Sequence, residues 1–139
     1  MTTHPDIRSL VDAHVAAELT HDAEAAASFY AEDGWYDNVG VGVRHEGREA
    51  VAAQYASSYA GIPDLAFTIE GSVAEGDTLV HWGRFTGHAG GQQVSVPFWA
   101  RFEAQDGQIV GESLLYDVAS LCEQTGIDVP TFRKLSGVG

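Results

Sequence analysis

The sequence predicts an α+β domain in which helices pack on one face of a curved, mainly antiparallel sheet. Two observations predict it. Before Pro63 the apolar residues recur at spacings of three and four, the period of a helix face. From Leu65 onward they alternate in runs separated by short turns rich in Gly and Asp, the pattern of hairpin-linked strands. A chain of 139 residues without internal repeats or a linker suits one domain, 1–139, around one core.

The elements follow in order. Residues 5–20 read as a helix whose stripe is Ile7, Leu10, Val11, His14, Val15 and Leu19. Residues 22–31 read as a second helix, with Asp22 as N-cap and Phe29 and Tyr30 turned inward. Asp33–Gly34 reads as a turn, and Trp35–Asn38 as the start of a strand leading to a glycine-rich bend at Gly40 and Gly42. A third helix, 48–60, carries Val51, Tyr55 and Tyr59 on one face and is broken by Pro63–Asp64. Strands are expected at 65–74, 78–88, 93–103 and 108–117, joined by EGD, HAGGQ and QDG. A short amphipathic helix then ends at Gly126. The remainder, 127–139, lacks clear periodicity and is expected to be a surface tail.

Composition excludes several classes. The formal net charge is −13, from 7 Lys and Arg against 20 Asp and Glu, so phosphate backbones and anionic membranes would repel the chain. No nucleic-acid and no membrane partner is expected. No apolar run reaches the roughly 18 residues of a membrane span, and the start, MTTHPDIRSL, lacks the pattern of a signal peptide. With a single cysteine, Cys122, the reading is a cytoplasmic protein without an internal disulfide. Six histidines are present, but none pair as HxH, HxxxH or HExxH, so no metal is expected. No GxGxxG, Walker loop or GxSxG occurs, and no cofactor is expected.

One acid stands out. Asp117 ends the last strand on the same period-2 face as Ile109, Ser113 and Leu115. A carboxylate on an apolar face must be hydrogen-bonded, paired or protonated, which makes it a candidate acid/base group. The other reading is that it caps the following helix, where Asp is a preferred residue. In 93–103 the face of Val94, Val96, Phe98, Ala100 and Phe102 is cleanly apolar, and Pro97, Trp99 and Arg101 share the opposite one. In 78–86 both faces are mixed, so parity does not identify the inner one.

The order of elements and a set of local motifs resemble the SnoaL-like polyketide cyclases of the nuclear transport factor 2-like superfamily, which also holds ketosteroid isomerases and limonene-epoxide hydrolases. The motifs are HDAEAAASFYAEDGWYDN, GREAV, IPD, AEGD, FTGHAG, DGQIV and YDVASLCEQTG, over roughly residues 5–127. The turn TGHAG is one residue shorter than the TGTHxG common in the family. The resemblance implies a cone-shaped α+β barrel, three N-terminal helices on a curved sheet and a short C-terminal helix. It puts His14, Tyr36, Asn38, Trp82, Arg84, Phe98, Leu115 and Asp117 in one conical cavity, with Tyr55 and Tyr59 closing its wall.

The resemblance also implies function. Asp117 matches the acid/base aspartate of the cyclases, and His14 or Asn38 would hold a developing enolate oxygen. The expected activity is a cyclase, isomerase or lyase acting by acid–base catalysis on a hydrophobic carbonyl or polyketide-like substrate. The ketosteroid isomerase groups are replaced, because His14, Asn38 and Phe98 stand at those positions. An epoxide hydrolase is the runner-up: Tyr36, Asn38 and Asp117 match, whereas Trp82 and Arg84 stand where an arginine and a second aspartate are needed. A non-catalytic binder of a small hydrophobic ligand is the remaining alternative. The family also implies a homodimer through the convex face of Pro97, Trp99 and Arg101.

Overall fold

A computed structural model describes residues 4–138. The elements are α1 (Ile7–Glu18), α2 (Ala23–Ala27), β1 (Tyr30–Asn38), β2 (Val43–Glu46), α3 (Arg48–Gly61), β3 (Ala66–Glu75), β4 (Thr78–Ala89), β5 (Gln92–Gln105), β6 (Gln108–Tyr116), α4 (Val118–Thr125) and α5 (Val129–Leu135). Four of the helices begin at aspartates that accept a backbone N–H from the first turn: Asp6, Asp22, Asp117 and Asp128. Each satisfies one of the donors a helix start leaves free.

The strands form one six-stranded sheet in the order β2-β1-β6-β5-β4-β3. All pairs are antiparallel except β1 with β6, which brings the first and last long strands together in parallel. The sheet is α+β as expected, but it is open: β2 and β3 are its edges and the barrel does not close. Its concave face carries Leu79, His81, Phe98, Ala100, Phe102 and Ile109, which pack with Ile7, Leu10 and Val11 of α1 and Val51 and Tyr55 of α3.

Four elements differ from expectation. The second helix is only five residues long, and Tyr30, expected on it, begins β1 instead. Asp33–Gly34 is therefore an irregularity within β1, where Tyr30 pairs with Ile109 but Trp35 with Gly111. The bend after Asn38 continues into the short edge strand β2. Within 127–139, expected as a surface tail, Val129–Leu135 form α5, whose Arg133 Nε donates to the Val41 carbonyl at 3.1 Å. No residue of α5 is buried, yet Phe132 and Leu135 line the cavity below it.

One glycine is required for shape. A Cβ on Gly83 would run into the carbonyl of Thr68, at the β3 bulge between Ile69 and Gly71. The outer sheet face carries Trp82 stacked on Trp99, with centroids 4.9 Å apart, and Trp99 remains 52% exposed. Among the described residues, no helix is long and apolar enough to cross a membrane.

Candidate active site

A cavity of about 340 Å³ lies between the concave sheet face and the helices α1, α3, α4 and α5. Register decides which side chains reach it. Directly paired residues share a face, so His81 opposite Ala100 and Gly83 opposite Phe98 point inward. Trp82 opposite Trp99 and Arg84 opposite Pro97 point outward. The expectation that Trp82 and Arg84 line the cavity is thus corrected. Arg84 instead bonds the Ser95 hydroxyl at 3.1 Å and carbonyl at 3.2 Å on the outer face.

Asp117 and Leu115 are corrected for a related reason. Ile109 pairs with Ala104 but Gly111 with Glu103, so Val110 is an extra residue on β6. This bulge reverses the parity beyond it. Glu112, Leu114 and Tyr116 then face the cavity, while Leu115 is 51% exposed and Asp117 is exposed. The Asp117 carboxylate accepts the Ser120 N–H at 3.0 Å and caps α4.

Five expected residues do come together: Tyr36, Asn38, Tyr55, Tyr59 and Phe98 line the cavity. His14 does not reach it. It is fully buried beneath the rings of Phe29, Tyr30, Tyr55 and Phe102, each in edge contact at 5.6–5.8 Å.

His14 belongs to a polar cluster at the cavity wall. Its Nδ1 lies 3.0 Å from the Ala26 carbonyl, which can only accept, so Nδ1 bears a proton. Its Nε2 lies 2.8 Å from Glu18 Oε1, 3.0 Å from the Tyr55 hydroxyl and 4.0 Å from Glu112 Oε1. The hydroxyls of Tyr30 and Tyr55 both donate to Glu112 Oε1, the latter at 3.1 Å. With Tyr55 donating there, Nε2 donates to Glu18, and His14 is an imidazolium between two carboxylates.

The electrostatics agree. Burial acts to lower the His14 pKa, but the Glu18 and Glu112 carboxylates outweigh it and raise it. Burial, then the neighbouring Glu18 charge, pushes Glu112 up to about 7 against the opposing effects of His14, Tyr30 and Tyr55. Burial lowers His81 to about 4, so the imidazole on that wall is neutral. Burial pushes Tyr116 up to about 12 against the opposing influence of Asn38, and Tyr36 far above the usual phenol range, ahead of the Glu112 charge. Both phenols therefore remain donors. Asn38 is 4% exposed, and its Oδ1 has no hydrogen-bond partner among the described residues.

Among the described residues no group of three or more His, Cys, Asp and Glu side chains has a metal-binding arrangement.

The sequence model of the SnoaL-like domain matches residues 11–112. The chain belongs to the SnoaL-like domain family. Solved structures agree with that membership in fold. A Catenulispora acidiphila protein of ketosteroid isomerase-like fold, in complex with trimethylamine, is 25% identical with a TM-score of 0.81, over 92% of this chain and 98% of that one. A Shewanella denitrificans protein described as a SnoaL-like polyketide cyclase is 16% identical with a TM-score of 0.78, over 86% and 96% of the two chains. An LEH-like epoxide hydrolase of M. tuberculosis is 22% identical with a TM-score of 0.72, over 85% and 86%. Comparison with curated proteins gives no match.

In this SnoaL-like domain the acids that line the cavity are thus Glu18 and Glu112, the latter held by Tyr30 and Tyr55. Sequence reasoning missed both, along with Tyr30, His81 and Tyr116. One signal was available: His14 and Glu18 stand four residues apart on one helix, the spacing of a side-chain pair. Glu112 had no such mark, because its inward direction depends on the bulge.

Proposed function

We propose that this SnoaL-like domain is a small-molecule enzyme that moves a proton on an apolar carbonyl compound by general acid–base catalysis, with Glu112 as the proton-carrying group. One observation carries the reading: a carboxyl group on the wall of an apolar cavity, shielded from bulk water, whose pKa of about 7 is set by burial and by Glu18. A group poised there accepts a proton and returns it at neutral pH.

The neighbours have definable roles. Tyr30 and Tyr55 hold Glu112 through Oε1 and leave Oε2 to meet the substrate. The Tyr36 and Tyr116 phenols, kept neutral by burial, are the donors for a developing enolate oxygen. His14 acts through Tyr55 and Glu18 and is a positioning residue. The reading supports an isomerase, lyase or cyclase type of reaction, all of which begin with such a proton transfer.

The test is deuterium exchange at the α-carbon of a panel of aryl ketones, followed by NMR. The trimethylamine complex of the Catenulispora protein is a reason to include amino ketones. The intact domain is expected to accelerate exchange, Glu112→Gln to abolish the acceleration, and Asp117→Asn to retain it. Undiminished exchange in folded Glu112→Gln would overturn the reading. A folded Glu112→Gln that binds the ketones as before, with no exchange by either protein, would favour a non-catalytic binder.

Epoxide hydrolysis is the second reading, favoured by the grouping of Tyr36, Asn38 and Glu112 on adjacent strands. It ranks below because β4 offers the cavity His81 and Gly83, without a second acid. Conversion of styrene oxide to its diol, lost in Glu112→Gln, would raise it to first.

A further inference from the structure

Two acceptors in the cavity lack a donor. Both tyrosine hydroxyls that reach Glu112 meet Oε1, which leaves Oε2 without a protein hydrogen bond among the described residues. Asn38 is 4% exposed, lines the cavity, and its Oδ1 has no hydrogen-bond partner among the described residues. A buried acceptor left in that state is costly to the protein, so a ligand that brings a hydrogen to it gains affinity. The two atoms are neighbours by register. Tyr36 pairs with Glu112 and Asn38 with Leu114 on parallel strands, so Asn38 lies two residues along the same face, roughly 7 Å from the Glu112 level.

The charge around them has one sign. Glu18 and Glu112 line the cavity, and among the described residues no lysine or arginine does. The imidazole on the opposite wall, His81, is neutral because burial lowers it to about 4. The one cation of the cluster, His14, is buried behind Tyr55 and already held by Glu18. Around this acidic end stand the rings of Tyr36, Tyr55, Phe67, Phe98 and Tyr116, aromatic groups whose faces attract a cation.

We propose that the substrate of this cavity is an apolar compound bearing a primary or secondary amine, bound as its ammonium with N–H donors to Glu112 Oε2 and Asn38 Oδ1. This rests on the reading of the cavity as the active site with Glu112 as its acid/base, and it narrows the substrate to an amine-bearing carbonyl compound. The proton balance is simple. A neutral amine that enters takes the carboxyl proton of Glu112, an N–H bond forming as the O–H bond breaks. An ammonium that enters instead displaces that proton to solvent. Carboxylate ligands are repelled by both glutamates.

The probes are benzylamine, benzyl alcohol and benzoate, which share a ring and differ in charge, titrated calorimetrically into the whole chain at about pH 8 and about 0.15 M salt. Benzylamine is expected to bind at least about tenfold tighter than benzyl alcohol, and benzoate weakest. Glu112→Gln is expected to bring amine and alcohol within about twofold, and Asn38→Leu to weaken benzylamine about tenfold. If Glu112→Gln does not fold, wild type and Asn38→Leu decide the matter alone. Benzyl alcohol binding as tightly as benzylamine, no benzylamine binding at millimolar concentration, or an unchanged amine preference in folded Glu112→Gln would overturn the proposal. Any of these alongside ketone exchange that still depends on Glu112 overturns the amine class and leaves the acid–base reading standing.

Discussion

Tyr55 lies between His14 and Glu112: its hydroxyl donates to Glu112 Oε1 at 3.1 Å and, 3.0 Å from His14 Nε2, accepts a share of the proton that Nε2 gives to Glu18. The three side chains come from α1, α3 and β6, so a single phenol fastens two helices to the sheet at the point where the acid sits. Burial raises the Tyr55 pKa well above the ordinary phenol value, and the adjacent Glu112 charge adds to it. Its proton stays on at any physiological pH.

Tyr55→Phe removes a donor that favours the ionised form of Glu112. The Glu112 pKa is expected to rise above about 7 in the variant, and stability to fall by about 1–3 kcal/mol. NMR titration of carbon-labelled glutamate, with urea unfolding alongside, reads both. An unchanged or lower titration midpoint would refute the coupling.

Glu112 also links stability to pH. Its folded pKa of about 7 lies above the ordinary 4.5, so between those values the folded state holds the extra proton. Stability from this group is fully present below 4.5 and is lost as pH rises through about 7, by on the order of a few kcal/mol. His14, also raised, acts in the same direction. The groups facing Glu112 are Glu18 and His14 from α1, Tyr30 and Tyr36 from β1, Tyr55 from α3 and His81 from β4. Urea unfolding from pH about 5 to about 8 is expected to show wild type losing stability relative to Glu112→Gln across that range. Parallel curves would contradict it.

Asp117→Asn keeps a side-chain acceptor at the start of α4, whereas Asp117→Ala does not. The alanine variant is expected to lose about 1 kcal/mol and a few degrees of melting temperature. Neither is expected to change α-proton exchange, because the carboxylate faces away from the cavity. A selective loss of exchange at unchanged melting temperature would return Asp117 to the site.

Gly83→Ala tests the shape of the inner face. The added methyl meets the Thr68 carbonyl at the β3 bulge, a backbone atom that cannot move aside alone. A loss of about 2 kcal/mol or more is expected in thermal unfolding. A loss below about 0.5 kcal/mol would show that β3 relaxes freely.

Much of this was legible in the chain, and the failures share a cause. Helix 3 and the four successive strands follow from period and punctuation alone, because Pro63, Gly76, Gly90–Gly91 and Gly107 mark the breaks. Tyr36, Asn38 and Phe98 were placed in the cavity by the family resemblance, and all three lie beyond the β1 irregularity or on a strand stretch paired in regular register. Asp117 and Leu115 were placed on the wrong side because Val110 adds one residue to β6, and nothing local in QIVGES announces it. Trp82 and Arg84 could not be assigned without the β4–β5 register, which depends on atoms distant in sequence. α5 was missed because it is short and has no buried stripe.

The parallel pairing of β1 with β6 sets an order of assembly. Tyr36 and Glu112 stand side by side, yet β2 to β5 and the whole of α3 separate them along the chain. Their meeting closes a long loop, the kind of step whose entropy slows folding and places it late. On the ribosome, the tyrosines and the histidine emerge well before the acid they surround. The cavity therefore acquires Glu112 only when the last strand docks, and a chain arrested before β6 is a scaffold that holds Glu18 but lacks the acid its tyrosines grip.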